Sequence, residues 1–597
     1  MPTWQQLRDV KLSEFTEAAG GWGKVSSRAN AAKDRVDNEM HARLHETQQS
    51  KTAEGAVADI ARLSRNYQYL HTECGLIRTA LDGLATELAA PQKKLQQALE
   101  DAENLKFTVE ADGSVKYPVT VTVPYAPGPG VAKPSTPSPF LLPGKSEGGG
   151  TDPNKAKADD IAARISGAVR DAAEIDGRYA GVLRRLKSPA GLAVTDEMLV
   201  DAAADTKDLQ KNAKFLPESG IPKGKSPAEN KKWWDHLSQE ERDEYTTLFP
   251  ERVGALDGLP SPVRDDANRM VLAETHAQVQ LDLNKLGPEP QKQIANPNGS
   301  YPVSVVNPGW TAWDNAGGSR LTAQLKGINA IEKRFADTGV EGLPEAYLLG
   351  FDTQGNGHAI VANGNPDTAQ HTAVYVPGTK SKLEGASGDI NRMTSVWRES
   401  QGMAPGQSVS TITWIGYDAP QSIVPEAMEK SWAHDGSPKL NQFLDGLQTT
   451  QGGADKSHTT VIGHSYGSTV VGDASNRGEL AADDIVVAGS PGMLAGDAGD
   501  LDVGKKHVWS EATGDDLVPA GGKVAGLGGY KWGIEKWHGI PFNAGYIQYV
   551  PSDEAFGAHR MQTDTSGHSG YWDSGSVSLH NQAAVVAGQY DQVKEAD

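Results

Sequence analysis

Ser465 stands between Gly463 and Gly467 in the stretch TTVIGHSYGST, directly after a short apolar run and directly before the helically spaced STVVGDASN. A serine that ends a strand and opens a helix sits on a sharp turn. The residues two before and two after it must lack bulk, and its hydroxyl is held clear of the sheet. Gly463 and Gly467 meet that requirement. The chemistry open to such a hydroxyl is attack on an acyl carbonyl. Serine is a poor nucleophile until a base takes its proton, and the base needs an acid to orient it.

In a sheet whose strands lead into helices, the acid and then the histidine are expected downstream, on loops at the carboxyl ends of later strands. The run IVVAGSPG has no acid at its tip, whereas KHVWSEATGDDLVP ends in Asp515 and Asp516. Asp516, followed by Leu517, Val518 and Pro519, is the expected acid. Asp515 is its close rival, and a pair that only caps the following turn is the plain alternative. Four histidines follow: His538, His559, His568 and His580. His568, in DTSGHSGYW just before SVSLHNQAAVVAGQY, lies where the base of such a triad would be delivered. His580 and His559 read as packing or surface residues, and His464 as a pocket wall beside the serine. The developing oxyanion needs donors. The amide of Tyr466 is the first expected, and that of Thr379, after the close-approach Gly378 in TAVYVPGT, is the second. Gly416, Tyr417 and Asp418 are the alternative contributor or wall.

The elements that must hold these residues are legible as texture. Beyond about residue 345, short runs rich in Val, Ile and Tyr (YLLGFD, HAIVAN, TAVYVPG, VSTITWIGY, TTVIGHS, DIVVAGSPG, KHVWSEATGDD and YIQYVP) are separated by helical ones. The first pair, joined by TQGNG, reads as a hairpin; the later alternation implies a parallel sheet with crossovers. DTQGNG lacks the closing glutamate of a calcium loop and reads as a plain turn. Between Asp516 and His568, GLGGYKWGIEKWHGIPFNAGY is glycine-rich and aromatic. Two readings stand for it: a cap whose Tyr530, Trp532 and Trp537 touch an apolar acyl group, or aromatics packed on the core.

Upstream, residues 1–123 read as a helical hairpin or bundle, clearest in VADIARLSRNYQYLHTECGLIRTALDGLATEL, followed by a short β-hairpin turning at Asp112 and Gly113. Residues 124–157 are a Pro/Gly/Ser-rich linker. Its Gly144, Lys145 and Ser146 are not a phosphate loop, because Pro139 stands where the first glycine should be and no strand precedes it. Residues 158–344 form a second helical region, and 345–597 the candidate catalytic domain.

At 597 residues the chain is too long for one core. A formal net charge of −20 excludes a nucleic-acid binder and disfavours an anionic membrane surface. Cys74 is the only cysteine, which excludes a disulfide framework and fits a reducing compartment. The first residues carry no basic region followed by an apolar stretch, and no apolar run reaches bilayer length, so neither a cleaved signal peptide nor an integral membrane segment is expected.

In VYVPGT, TWIGYDAP, TVIGHSYGS, VVAGSPG, GDDLVP and GHSGYW, in that order, residues 345–597 resemble an actinobacterial group of α/β-hydrolases long filed as a domain of unknown function. The resemblance implies an α/β-hydrolase fold with Ser465 as nucleophile, Asp516 as acid and His568 as base, a reaction class without a substrate. WWDHLS, GALDGLP and RDDANR resemble a helical module found ahead of such hydrolases. GGWGKVSSRA is similar to the hairpin turn of small helical proteins exported by type VII secretion, although Trp22-Gly23 departs from their Trp-x-Gly spacing. Tyr69 and Glu73 fit the associated Tyr-x-x-x-Asp/Glu pattern, which suggests export without a cleaved signal as the alternative to a cytoplasmic location. The expected function is therefore a serine hydrolase acting on a small-molecule or lipid carboxylic ester, with no metal or organic cofactor. The competing reading is an interaction protein whose helical region docks a partner and whose hydrolase fold is only a platform.

Overall fold

The computed structural model describes residues 3–41, 43–44, 51–120, 141–142, 152–186, 193–298, 301, 303–478, 480–537 and 540–596. Most of the expected linker, with Gly144, Lys145 and Ser146, and the candidate His538 lie outside the described residues. The chain divides into two compact units, one of residues 1–27, 73–189 and 204–218, the other of residues 28–72, 190–203 and 219–597.

The first unit is helical. In the helix Lys51–Asn104, Leu76, Ala80, Leu84 and Leu88 recur every fourth residue and are buried, as are Ile161, Ile165, Tyr179 and Val182 of the helix Pro153–Arg185. One apolar stripe per helix is what helix-on-helix packing requires. A hairpin pairs Thr108–Val109 with Val115–Lys116, its turn set by Asp112, whose carboxylate accepts from the Ser114 amide at 2.9 Å. Gly20 to Gly23 lie inside the uninterrupted helix Leu12–Arg35, so the turn expected around Trp22 is absent: glycine lowers helix propensity without forcing a break. Tyr69 and Glu73 are both buried. No helix among the described residues is long and apolar enough to cross a membrane.

The second unit is built on an eight-stranded, mostly parallel sheet. The elements of this unit that bear on the site are, in chain order, α1 (Ser261–Leu286), β1 (Ala346–Asp352), β2 (His358–Asn363), β3 (His371–Val376), α2 (Ala386–Met403), β4 (Val409–Ile415), α3 (Ser431–Gln451), β5 (His458–His464), α4 (Tyr466–Arg477), β6 (Asp484–Ala488), β7 (Val508–Glu511), α5 (Val518–Ala525), β8 (Gly529–Trp537), β9 (Ile540–Tyr549), β10 (His559–Arg560) and α6 (Val577–Val586). The sheet order is β10-β7-β6-β5-β3-β4-β2-β1, antiparallel only at β1/β2 and β2/β4. Alternation splits each central strand between two cores. Val374, Val376, Val461, Ile485 and Val487 face α3 and α4, while Ala373, Tyr375, Ile462, Val486 and Ala488 face α2 and α6. Burial on both faces explains why these strands read as continuous apolar runs. YIQYVP, expected among the sheet runs, instead ends a separate two-stranded hairpin of β8 and β9; the eighth strand of the sheet is His559–Arg560.

Residues 219–344, placed by composition in a separate helical region, cluster with the sheet. The reason lies in α1. β1 is an edge strand, and α1 takes up its outward backbone groups. Asp265 accepts from the Leu348 amide at 2.6 Å, Asn268 donates to the Leu348 carbonyl at 2.9 Å, Arg269 donates to the Ala346 carbonyl at 2.9 Å, and Arg264 donates to the Leu349 carbonyl. A covered edge removes the template for unwanted strand pairing.

Candidate active site

β4 and β5 leave β3 on opposite sides, so the carboxyl ends of β3 and β5 flank a reversal in strand order, the place where open α/β sheets bind ligands. Ser465 follows β5 directly, with φ 52° and ψ −130°. For a serine this left-handed conformation costs about 1–3 kcal/mol and persists only where neighbours enforce it. The Ser465 amide donates to the Ala488 carbonyl at 3.0 Å, and its carbonyl accepts from the Ser468 hydroxyl at 2.6 Å. The flanking glycines are demanded by space. A Cβ on Gly467 would lie 2.0 Å from the Val376 carbonyl oxygen, and one on Gly463 2.7 Å from the Ser468 Cα.

Gly378 brings the β3 loop against the serine: a Cβ there would lie 2.6 Å from the Ser465 Cβ and 2.8 Å from the Tyr466 nitrogen. Tyr466 is the first residue of α4, where the leading N–H groups lack intrahelical acceptors and the helix end is positive. Thr379 lines the same cavity as Ser465, Tyr466 and His568. Gly416, Tyr417 and Asp418 do not line it. The Tyr417 hydroxyl donates to the Pro377 carbonyl at 2.9 Å and so supports the β3 loop from below.

Asp515 and Asp516 part company at the end of β7. Asp516 Oδ2 lies 2.8 Å from His568 Nδ1 and accepts from the Tyr571 hydroxyl at 2.7 Å, while its Oδ1 accepts from the Val518 amide at 2.9 Å. Burial raises the Asp516 carboxyl, but the bonds from His568, Val518 and Tyr571 outweigh it and hold the group below the usual carboxylate range. Asp515, exposed, accepts instead from the Gly567 amide at 2.8 Å. One aspartate therefore orients the imidazole and the other ties down the loop that carries it. Gly489 (φ 58°) admits the pair, since a Cβ there would lie 2.7 Å from Asp516 Oδ2 and 2.8 Å from His568 Nδ1.

The other histidines have different surroundings. His559 stacks on Trp509 and pairs with Glu595 at 2.7 Å, and His580 lies 3.5 Å from Glu399. His464 is buried, with its ring 4.8 Å from that of His568 and its Nε2 2.9 Å from the His568 carbonyl oxygen. Burial, then the Arg392 and His568 charges, push its pKa well below the ordinary imidazole value, so it stays neutral and donates from Nε2 to that carbonyl. Sequence reasoning missed this brace, the Tyr571 hydroxyl and Arg392 on the cavity wall. Tyr571 stood in the quoted GHSGYW, but nothing in the amphipathic pattern of α2 distinguished Arg392.

The cavity, about 720 Å³, carries Lys380, Ser381 and Ser569 among its polar lining and a large apolar share that includes Ile423, Val424, Met428, Leu517, Val524 and Leu527. Neither reading of the aromatic insert holds for Tyr530 and Trp532. Both are more than half exposed and neither lines the cavity. The pleat is the cause. Lys531, between them, turns inward to Asp497 and to the Ala555 carbonyl, which sends its neighbours outward.

Residues 352–525 match the family model Abhydrolase_8, described as alpha/beta hydrolase. The match spans Thr379, Ser465, Tyr466 and Asp516 but ends before His568. Uncharacterized protein Rv2079 of Mycobacterium tuberculosis is 30% identical over 411 residues, 63% of this chain and 58% of the relative. Uncharacterized protein Mb0988c of Mycobacterium bovis is 31% identical over 176 residues, 28% of this chain and 65% of the relative. The chain thus spans less than two thirds of the length of these curated relatives. With the eight-stranded, mostly parallel sheet and its crossover helices, the match makes the C-terminal part of the chain an α/β-hydrolase domain.

Proposed function

We propose that the chain is a serine hydrolase cleaving a carboxylic ester through an acyl-enzyme on Ser465. The observation that carries this reading is His568, paired with Asp516 at 2.8 Å, lining one cavity with a serine held in a left-handed conformation at the strand-order reversal. With Nδ1–H committed to Asp516, the imidazole keeps its lone pair on Nε2. Nε2 takes the proton as Ser465 Oγ bonds to the ester carbonyl carbon. The carbonyl oxygen becomes an oxyanion held by the amides of Tyr466 and Thr379, and Asp516 stabilises the imidazolium. Collapse breaks the carbon–oxygen bond to the alcohol, which leaves with the proton from Nε2. Water, deprotonated by the same nitrogen, then releases the acid and restores the serine.

Ser465→Ala is expected to abolish both hydrolysis of short p-nitrophenyl esters and labelling by a fluorophosphonate probe. Equal labelling of the variant and the unmodified chain would remove Ser465 from its role.

A further inference from the structure

The mouth of the Ser465 cavity is fringed by apolar side chains standing in water: Ile423 is 68% exposed, Leu517 81% and Val524 83%. Singly exposed apolar residues are ordinary, but a set of them around one opening marks an interaction surface. The cavity wall continues through Leu527 into the hairpin of β8 and β9, which begins two residues later. That hairpin is fixed from beneath. The Gly529 backbone packs so closely on Ala495 that a Cβ would lie 2.0 Å from the Ala495 carbonyl carbon, and Lys531 is held by Asp497. Its outer face presents Tyr530, Trp532, Ile534 and Tyr546, with Trp532 paired across the ribbon to Tyr546.

We infer that this rim and hairpin dock on a neutral lipid surface, and that the substrate is a water-insoluble long-chain ester drawn from that surface into the cavity. The substrate half of the inference rests on the hydrolase reading above; the docking half does not. Tyr and Trp, with apolar bodies and polar tips, suit a lipid–water boundary. A protein or a second copy seated on the rim would close the mouth through which substrate reaches Ser465, whereas a lipid layer over the mouth is itself the supply. The formal net charge of −20 selects against an anionic surface and for a zwitterionic one. A cavity of about 720 Å³ falls within the roughly 300–1,000 Å³ of sites that enclose a small ligand.

The test is cosedimentation of the full chain with phosphatidylcholine vesicles, run on the unmodified protein and on Ser465→Ala, both of which are expected to bind. Replacing Tyr530, Trp532 and Tyr546 together by serine is expected to weaken partitioning roughly a hundredfold, about fivefold for each aromatic withdrawn. Tyr301→Ser, at a 93% exposed aromatic between the paired strands Gln293–Ala295 and Ser304–Val306, is expected to leave partitioning unchanged. Independently of that triple variant's folding, brominated phosphatidylcholine is expected to quench fluorescence of the unmodified chain, and Trp532→Phe to remove most of that quenching. The inference is overturned if the chain stays in the supernatant, if it binds only phosphatidylglycerol vesicles, if the folded triple variant binds as well as the original, or if the hairpin proves to hold a dimer that ignores vesicles. Because Ser465→Ala reports binding without turnover, failure of the docking and failure of the hydrolase reading separate cleanly.

Discussion

Asp516→Asn set beside Asp515→Asn tests the division of labour between two adjacent carboxylates. Three donors converge on Asp516: His568 Nδ1 at 2.8 Å and the Tyr571 hydroxyl at 2.7 Å on one oxygen, and the Val518 amide at 2.9 Å on the other. An asparagine cannot serve all three. If its oxygen faces His568 and Tyr571, its NH₂ meets the Val518 N–H, donor against donor, at about 1–3 kcal/mol for the buried group left unpaired. If it flips, the NH₂ faces Nδ1, the imidazole proton moves to Nε2, and the lone pair that must receive the serine proton is gone. In both orientations the charge that stabilises the imidazolium is lost. The expected fall in kcat is about 10⁴-fold, roughly 5.5 kcal/mol. Asp515 accepts one amide from an exposed position, and an asparagine oxygen can do the same, so Asp515→Asn is expected to stay within about threefold of the original. The assay is kcat and KM on p-nitrophenyl butyrate across pH, with thermal unfolding as a fold control. Because the bonds to Asp516 hold its folded pKa below the unfolded one, they contribute stability above the unfolded value of about 3.9 that is lost as pH falls through the lower folded value. The stability gap between the unmodified chain and Asp516→Asn should therefore narrow on acidification below about pH 4. An Asp516→Asn enzyme keeping more than about a tenth of its kcat, or an Asp515→Asn enzyme falling alongside it, would refute the assignment.

Three stability measurements bear on the frame around the site. Asp484, fully buried, accepts from Tyr590 at 2.6 Å, His458 at 2.7 Å, Trp509 at 2.9 Å and His507 at 3.1 Å, and Asp484→Asn is expected to cost about 3–5 kcal/mol in urea unfolding. Burial raises the Asp484 carboxyl and lowers His458, but their bond prevails in both, so the first contributes above about pH 3.9 and the second below about pH 6.5. The cost of the substitution should peak between those values; a flat profile would contradict it. Glu511, buried, has a carboxyl that accepts from Gln582 at 2.9 Å, and burial drives its pKa well above the ordinary range. Above about pH 4.3 the unfolded chain releases a proton that the folded chain keeps, so Glu511→Gln should gain on the original by about 1.4 kcal/mol per pH unit, and a pH-independent difference would count against a protonated Glu511. Gly467→Ala must displace the Val376 carbonyl, 2.0 Å from the new Cβ, and is expected to lower stability by about 1–3 kcal/mol and the rate of fluorophosphonate labelling with it; unchanged labelling would show that the turn gives way freely.

The candidate site was legible wherever chemistry and backbone sterics coincide. GHSYG stood out because a strand-to-helix turn tolerates only glycine at Gly463 and Gly467, and the same sterics placed Gly378 beside Ser465. Asp515 and Asp516 stayed ambiguous because adjacent residues carry the same chemistry and only loop geometry decides which one turns inward. The β8–β9 insert misled for a related reason. A period of two tells which residues share a face but not which face meets water, and Tyr530, Trp532 and Ile534 took the wet one. The boundary near residue 345 marks a real change of texture, yet it does not coincide with the division into compact units. Nothing in the sequence singles out Arg264, Asp265, Asn268 and Arg269 as edge-covering residues, and the structure sets all four against the unpaired edge of β1.

That edge bears on which part of the chain carries the chemistry. β1 pairs with β2 and β2 with β4, and β4 lies directly beside β3, whose loop bears Thr379. Deleting α1 would bare four backbone groups of β1 and loosen the sheet from its outermost strand inward. A fragment starting at residue 345 would keep Ser465, Asp516 and His568 while losing the side chains that close the sheet. Its inactivity would therefore speak to the edge before the triad, and because residues 28–72 and 190–203 belong to the same compact unit, the full chain is the form whose activity reports on the proposed chemistry.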